Sequence, residues 1–322
     1  MRLRALAVGS GWGAHAARVF ASDDRIQLCG LVGTGSDRSE ALAKELNVPL
    51  FTELSAAIAS VSPQVASVAV HETRNVMLVE QLLGRGCHVL CSHPVATAAD
   101  DVARLGALAR SQQVLAATDY SLRLCPAYAA ARDELSRSGT LLRVTIESPS
   151  RTMVIGIDMA LDLAGPAERA FVAARYPAEL KERRSRHPKA FAPTVLIEHR
   201  SGVVTTIVPV PQADPAQAYR VVLSSERASI RLALPDGGAR RVQYLGKGEV
   251  QERELAPTDA VRRPPVELYG APMKTLVSKF VDAVVRGGGV HAPFDAEVSV
   301  RATWEAFERS VAEQRPAVVR AP

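Results

Sequence analysis

The sequence predicts an α/β protein: a Rossmann-type, doubly wound parallel sheet at the N-terminus, then a C-terminal α+β domain with an open antiparallel sheet. The apolar run Leu6–Val8 is followed by a glycine-rich turn and an alanine-rich helical stretch. Apolar runs of strand length then alternate with helical periodicity, and from Leu141 onwards short alternating segments are separated by turns. We expect a dinucleotide-binding domain in residues 1–122 and a substrate and dimerisation domain in residues 123–322, whose last helices could pack back on the first.

Composition and charge exclude several classes of protein. The chain of 322 residues is 47% hydrophobic, enough for two domains with large cores. No apolar run reaches the ~18 residues that a membrane helix requires, and the first strand begins too early for a signal peptide. We therefore expect a cytoplasmic protein that does not associate with a membrane. The net charge is +5, but few aromatic residues accompany the basic run Lys181–Lys189, so we expect no nucleic-acid partner.

The four cysteines indicate a reducing compartment rather than a disulfide framework. They form no C-x-x-C pair, and buried free thiols fit their positions best. No set of histidine, cysteine and carboxylate side chains has the spacing of a metal site, so we expect no metal. The cysteines are Cys29, Cys87, Cys91 and Cys125.

A glycine loop after the first strand predicts a dinucleotide site. Glycines let the backbone bend tightly and approach a pyrophosphate, and the N–H groups at the start of the following helix face the phosphates. The spacing is G-x-G-x-G, one residue shorter than the common G-x-G-x-x-G. An ordinary strand-to-helix turn is the alternative. The loop consists of Gly9, Ser10, Gly11, Trp12 and Gly13.

The end of the second strand, Ile26–Val32, favours NADP(H) over NAD. An NAD enzyme places a carboxylate at this tip to bind the ribose hydroxyls. Here Thr34 lies at the tip and Ser36 and Arg38 follow. A hydroxyl and a guanidinium suit a 2′-phosphate, which needs hydrogen-bond donors and positive charge. Asp37 leaves the alternative that a carboxylate binds the ribose.

Three further strand ends carry candidate site residues. Ligands of such sheets bind at the carboxyl ends of the strands, so these residues should converge on one cleft with the glycine loop. We expect the residues after the fourth strand, and Pro94, to line the nicotinamide pocket. The candidates are Val70, His71 and Glu72 after one strand, Ser92, His93 and Pro94 after the next, and Asp119 and Tyr120 after the last.

The C-terminal half reads as an antiparallel sheet with one face buried and the other available for pairing with a second subunit. Its clearest element is a hairpin with a turn at Ser201-Gly202. The predicted strands are Arg143–Glu147, Thr194–His199, Val203–Val208, Tyr219–Leu223, Ala228–Leu232 and Arg241–Tyr244, and the predicted helices are Asp158–Leu163, Met273–Val285 and Ala296–Glu313.

This order of parts resembles the glucose–fructose oxidoreductase/inositol dehydrogenase (Gfo/Idh/MocA) family. That family usually carries Glu-Lys-Pro where this chain has Ser92-His93-Pro94, and its lysine helps in proton transfer. No lysine occurs between Lys44 and Lys181. A lysine-assisted alcohol oxidation at this cleft is therefore disfavoured.

Within that family, the chain resembles the thiazolinyl imine (imide) reductases of siderophore and nonribosomal peptide pathways. The resemblance implies reduction by NADPH of the C=N bond of a thiazoline tethered to a carrier protein, and a homodimer. The basic run Lys181–Lys189 would suit an acidic carrier, or is a solvated loop. The similar stretches are 9–13, 31–39, 48–52, 86–90 and His93-Pro94.

Such a reduction needs a proton for nitrogen as well as a hydride. Histidine is the obvious donor, and His93 follows the strand beside the expected nicotinamide site. His93 could instead orient the nicotinamide or a water, or be structural. Tyr120 is the other candidate acid, a partner to His93, or a packed ring. Two other functions stay open: an NAD(P)-dependent sugar or cyclitol dehydrogenase with His93 as base, and a dinucleotide-binding protein without catalysis.

Overall fold

The computed structural model describes residues 2–149, 152–172, 194–210, 219–235, 237–246, 249–257, 265–320 and 322. The basic run Lys181–Lys189 lies outside the described residues. The chain separates into two compact units. The first comprises residues 1–121, 270–298 and 322, and the second comprises residues 122–269 and 299–321.

The first unit contains a six-stranded sheet in the order β3-β2-β1-β4-β5-β6, in which every pairing is parallel. This confirms the predicted doubly wound sheet. The strand order reverses between β1 and β4, which opens a crevice at their carboxyl ends. The strands are β1 Leu3–Val8, β2 Ile26–Val32, β3 Leu50–Phe51, β4 Val65–Val68, β5 His88–Ser92 and β6 Ala116–Asp119.

Five helices follow the strands of this sheet. Successive strand residues point to opposite faces, so the two faces pack different helices. On one face Leu6 and Val8 join the cluster under α3, α4 and α5. On the other, Ala7 meets Ala14 and Ala17, and these small side chains let α1 approach the strand closely. The helices are α1 Gly13–Ser22, α2 Asp37–Glu45, α3 Leu54–Val61, α4 Glu72–Leu83 and α5 Ala99–Ser111.

The second unit contains a nine-stranded sheet in the order β14-β13-β12-β11-β7-β10-β9-β8-β15. It is mixed, because β10 runs parallel to β7 while the other described pairings are antiparallel. The helix that follows β7 brings the chain back, so β8 runs in the same direction as β7. Strands β9 and β10 then each reverse direction, which leaves β10 parallel to β7. The strands are β7 Leu141–Pro149, β8 Ala167–Val172, β9 Val195–His199, β10 Val204–Val210, β11 Tyr219–Ser225, β12 Ser229–Leu234, β13 Ala239–Gly246, β14 Glu249–Ala256 and β15 Ala317–Val318.

The remaining helices belong wholly or partly to the second unit. The predicted hairpin is present as β9 and β10, whereas β8, β14 and β15 were not predicted. Among the helices that the structure describes, none combines the length and apolar character that crossing a bilayer requires. The elements are a 3-10 turn at Ser121–Leu124, α6 Pro126–Arg137, α7 Met153–Ala164, α8 Pro265–Arg286 and α9 Phe294–Glu313.

A buried ion network fixes α7 within the second unit. The guanidinium of Arg123 donates to both carboxylates of the helix, with Nε 2.7 Å from Oδ2 of Asp158 and Nη1 2.9 Å from Oδ1 of Asp162. The Tyr128 hydroxyl donates to the other oxygen of Asp162 at 2.8 Å. Burial raises the pKa of Tyr128, and the Asp162 carboxylate raises it further. These buried charges are paired, as the cost of burying an ion requires.

Candidate active site

The predicted site residues of the first unit lie at or just beyond the carboxyl ends of five neighbouring strands. The glycine loop follows β1, Ser36 and Arg38 follow β2, and Val70 follows β4. His93 follows β5, and Tyr120 follows β6. The parallel pairing puts these five ends along one edge of the sheet, which is the edge where open α/β sheets bind ligands.

Gly9 fixes the start of the glycine loop. Its φ of +102° is in the left-handed region that favours glycine. A Cβ at this position would lie 2.2 Å from the carbonyl oxygen of Ala69 and 3.2 Å from Val70. The Gly9 N–H donates to the Val32 carbonyl at 2.9 Å. The loop is thus held between the ends of β2 and β4, in a place that admits no side chain.

In the rest of the loop, the backbone lies at the protein surface, next to the N-terminus of α1. Ser10 is half-buried, and Gly11 and Trp12 are exposed. A Cβ built on Gly13 would lie 3.2 Å from that of Ala69, so this glycine lets the helix start pack closely. Within the described residues, no side chain caps the first turn of α1. An uncapped helix N-terminus beside exposed glycine backbone fits the pyrophosphate of a dinucleotide.

The polar residues after β2 lie beside this loop. A Cβ built on Gly11 would lie 3.7 Å from Nη1 of Arg38, so the exposed guanidinium is next to the glycine loop. The Thr34 hydroxyl is 3.3 Å from the Ser36 hydroxyl. The Ser39 hydroxyl donates to the Ser36 carbonyl at 2.8 Å and stabilises the start of α2. All three predicted 2′-phosphate donors are exposed, and the Arg38 guanidinium lies beside the glycine loop.

Of the residues that follow β4, Val70 packs against the core and His71 caps the helix α4. Val70 is half-buried and packs against the core cluster and the Gly9 backbone. His71 is the N-cap of α4, with Nδ1 3.1 Å from the Thr73 hydroxyl and 3.5 Å from the carboxylate of Glu72. Its side chain is 69% exposed. In this structure His71 and Glu72 therefore contact each other and the first turn of α4.

The turn after β5 presents His93 in a defined orientation. Its Nδ1 lies 2.7 Å from the carbonyl oxygen of Asp119. A carbonyl can only accept, so Nδ1 carries the hydrogen and donates it, and Nε2 is the nitrogen left for other chemistry. The imidazole stacks on the ring of Tyr120, with centroids 5.4 Å apart and planes 17° apart. The peptide bond between His93 and Pro94 is cis.

Tyr120 faces inward. It is 2% exposed, and its hydroxyl donates to Oε2 of Glu297, at the start of α9. To act as an acid on a bound substrate, this hydroxyl would have to leave Glu297. Its observed geometry is that of a partner to His93.

Two residues that the sequence did not reveal hold the same turn. Oε1 of Glu297 accepts from the backbone N–H of Val95 at 3.2 Å, and Nδ2 of Asn75 donates to the carbonyl of Pro94 at 3.0 Å. Both side chains are fully buried. One signal could have found Glu297, because helical spacing places this carboxylate in line with Val300 and Phe307 on an apolar stripe.

Two buried thiols, Cys91 near the carboxyl end of β5 and Cys87 just before its start, are not nucleophiles. Burial raises the pKa of the Cys91 thiol well above its usual range, and the charges of Glu297 and Asp119 raise it further. Burial alone raises the pKa of Cys87 to about 12. Both thiols therefore stay protonated at neutral pH.

Residues 3–120 match the model of the GFO_IDH_MocA family, described as an oxidoreductase family with an NAD-binding Rossmann fold. No curated protein matches the chain.

Solved structures share the fold of nearly the whole chain. An oxidoreductase from Agrobacterium radiobacter, in complex with NAD+, L-tartaric acid and magnesium, superposes with a TM-score of 0.82 at 12% identity, over 99% of both chains. GenD2 from gentamicin A biosynthesis, in complex with NAD, gives 0.79 at 21% identity, over 99% of this chain and 97% of that chain. A UDP-N-acetylglucosamine 3-dehydrogenase from Acidithiobacillus ferrooxidans gives 0.77 at 18%, over 96% and 97% respectively.

Proposed function

We propose that this chain, whose residues 3–120 match the Gfo/Idh/MocA family model, belongs to that family of oxidoreductases and uses NADPH to reduce a C=N bond. The substrate we propose is a thiazoline, reduced to a thiazolidine while tethered to a carrier protein of nonribosomal peptide or siderophore biosynthesis. The reaction consumes NADPH and one proton, and yields NADP+ and an amine.

The observation that carries this proposal is the anchored imidazole of His93. Nδ1 is engaged with the Asp119 carbonyl, and the ring is stacked on Tyr120. Only Nε2 can then exchange a proton with a substrate. His93 is half-buried, so solvent can restore that proton after each turnover. A histidine suits this task because its unperturbed pKa lies near neutrality.

The division of labour follows from the reaction. When bound, NADPH would supply the hydride that the carbon of the C=N bond accepts. The nitrogen needs a proton, which protonated His93 donates from Nε2. Tyr120 keeps the imidazole plane in place. An alcohol oxidation removes a proton instead of adding one, so it needs a base. His93 would have to be protonated for the imine reduction and neutral for the alcohol oxidation.

The choice of NADPH over NADH rests on the polar residues after β2. Arg38 provides positive charge beside the glycine loop, and the hydroxyls of Thr34 and Ser36, 3.3 Å apart, provide exposed donors after the same strand. A phosphate binds arginine with strong, charge-assisted hydrogen bonds. The 2′-phosphate of NADP(H) is the group that such residues would recognise.

We also propose a homodimer formed through the face of the nine-stranded sheet to which Val222 and Val208 belong. Along β11 and β10 that face carries the half-buried apolar residues Val222 and Val208. Burying an added carboxylate between two subunits is unfavourable, so Val222→Glu should weaken pairing. We expect light scattering to give a dimer mass for the wild-type chain and a monomer mass for Val222→Glu. A monomeric wild-type chain would contradict the proposal.

Substrate turnover tests the proposed reaction directly. NADPH consumption is measured with a thiazoline carboxyl thioester of pantetheine, which imitates the carrier arm, and with the free thiazoline acid. The reverse assay offers NAD+ and NADP+ with myo-inositol and UDP-N-acetylglucosamine. We expect turnover of the thioester, with NADPH as the only productive cofactor. Oxidation of a polyol without turnover of either thiazoline would identify a sugar or cyclitol dehydrogenase instead. Cofactor binding without any turnover would favour a non-catalytic role.

A further inference from the structure

The turn after β5 is held by hydrogen bonds to three other elements, through the side chains of Asn75 and Glu297 and the backbone carbonyl of Asp119. His93 donates from Nδ1 to the Asp119 carbonyl at the end of β6, at 2.7 Å. The Pro94 carbonyl accepts from Asn75 of α4 at 3.0 Å. The Val95 N–H donates to Glu297, in the first turn of α9, at 3.2 Å. Three consecutive residues are therefore fixed by contacts distant in sequence.

Glu297 contacts this turn in two ways. One carboxylate oxygen accepts from the Val95 backbone, and the other accepts from the hydroxyl of Tyr120, on whose ring His93 stacks. The same carboxylate thus sets the backbone after His93 and the aromatic surface under it. Loss of this carboxylate would deprive a buried N–H and a buried O–H of an acceptor together.

Hydrophobic packing does not account for a carboxylate at this place. Glu297 is 0% exposed, and burying a carboxylate is unfavourable unless its oxygens are hydrogen bonded. Both oxygens accept hydrogen bonds, and the positive end of the α9 dipole supports negative charge in the first turn. An apolar side chain could fill the space but could not accept two hydrogen bonds.

We propose that Glu297 is a positioning residue that acts through Val95 and Tyr120 to hold His93 with Nε2 presented for proton transfer. This inference rests on the proposed role of His93 as the proton donor. Asn75 holds the other side of the turn through the Pro94 carbonyl. Glu297 itself touches neither substrate nor cofactor.

The first measurement is a double-mutant cycle on the reduction of the thiazoline thioester. Glu297→Gln keeps the shape and one acceptor but removes the charge and the second acceptor. We expect kcat to fall about 10- to 100-fold with little change in KM, because a displaced acid slows chemistry more than binding. In a His93→Ala background the same change should cost less than about 2-fold. An equal loss in both backgrounds would show that Glu297 does not act through His93.

A matched control is available in the same helical turn. Asp295 is an exposed carboxylate, 67% accessible, that pairs with Arg110 at 3.0 Å. Asp295→Asn removes the same charge from the start of α9 without touching the turn, and kcat should stay within about 2-fold. If Glu297→Gln does not fold, Tyr120→Phe serves instead, because it keeps the ring and removes the hydrogen bond to Glu297. Tyr120→Phe should lower kcat in the wild-type background and cost less than about 2-fold in the His93→Ala background, and an unchanged kcat or an equal loss in both backgrounds would oppose the proposal.

The second measurement does not depend on turnover. Nitrogen-15 NMR of labelled histidine reports which ring nitrogen carries hydrogen. We expect the wild-type His93 signal to show one Nδ1–H tautomer, and the Glu297→Gln signal to show a mixture or a broadened resonance. An unchanged signal together with unchanged kcat would overturn the positioning role. A changed signal in a protein that reduces no thiazoline would support positioning and refute the proposed reaction.

Discussion

Two turns at the same edge of the parallel sheet are built in opposite ways. The glycine loop after β1 is held by backbone: Gly9 has a positive φ, donates to Val32 and leaves no room for a Cβ. The turn after β5 is held by side chains, with Asn75, Tyr120 and Glu297 around His93 and its neighbours.

The difference shows that binding a phosphate and orienting a side chain require different kinds of support. A pyrophosphate is bound by backbone N–H groups, so the loop needs only the right backbone path and open space. A proton donor must point one nitrogen at one atom, and fixing a side chain requires contacts from several directions. Substitutions should therefore act on the first turn through steric strain and on the second through orientation.

The largest effect should come from substitution of His93, the proposed acid. His93→Ala is expected to lower kcat for the thioester by about 10²- to 10⁴-fold, the usual contribution of a general acid. NADPH binding, followed by quenching of Trp12 fluorescence in a Trp304→Phe background, should be unchanged. A kcat within 2-fold of the wild type would exclude His93 as the donor.

The next effect should be steric and belong to the glycine loop. Gly9→Ala places a methyl group 2.2 Å from the Ala69 carbonyl and adopts a φ of +102°. We expect the free energy of unfolding to fall by about 3 kcal/mol, from backbone strain and overpacking together. Urea unfolding measures the change. Gly11→Ala is the control, since its Cβ would meet only Arg38 at 3.7 Å, and an equal loss there would refute the steric explanation.

A smaller effect should separate the two cofactors. Arg38→Ala removes the guanidinium beside the glycine loop, and the preference in kcat/KM for NADPH over NADH should fall by about 10- to 100-fold. Arg18→Ala is the comparison, because Arg18 lies on α1 and pairs with Glu45 at the surface. If Arg38→Ala weakens both cofactors equally, Arg38 does not read the 2′-phosphate.

The smallest effect should come from His88, which lies at the other end of β5 from His93. Burial lowers the pKa of His88, and its Nδ1 accepts from the Leu115 N–H at 2.9 Å, so the ring is neutral in the fold. As the pH falls, His88 is protonated in the unfolded chain before it is protonated in the folded chain. The contribution of the neutral ring to the free energy of unfolding is therefore full above pH ~6.5 and decreases below it. His88→Asn keeps an acceptor that does not titrate. Its Tm should decline less than the wild-type Tm between pH 7.5 and 5.5, and parallel declines would contradict the assignment.

The sequence was a good guide to the strand ends of the first unit. The alternation of strands and helices, the glycine loop and the position of His93 after a strand follow from local pattern. The sequence was a poorer guide to the second sheet, where β8, β14 and β15 were missed and one pairing proved parallel. Strand direction there depends on how α7 returns the chain, which periodicity does not encode.

The glycine loop could be predicted from five residues because its requirement is local: a positive φ and an absent Cβ are properties of single positions. The orientation of His93 could not. Its supports include Glu297, which is 202 residues from Val95 and 177 from Tyr120. Residue pattern tells which face of a helix is buried, but not which atoms meet there. The sequence by itself therefore determined that the N-terminal strands form a doubly wound parallel sheet and which candidate residues follow those strands. Only the tertiary structure decided what holds His93, because a hydrogen-bonded contact between distant elements exists only once both have packed.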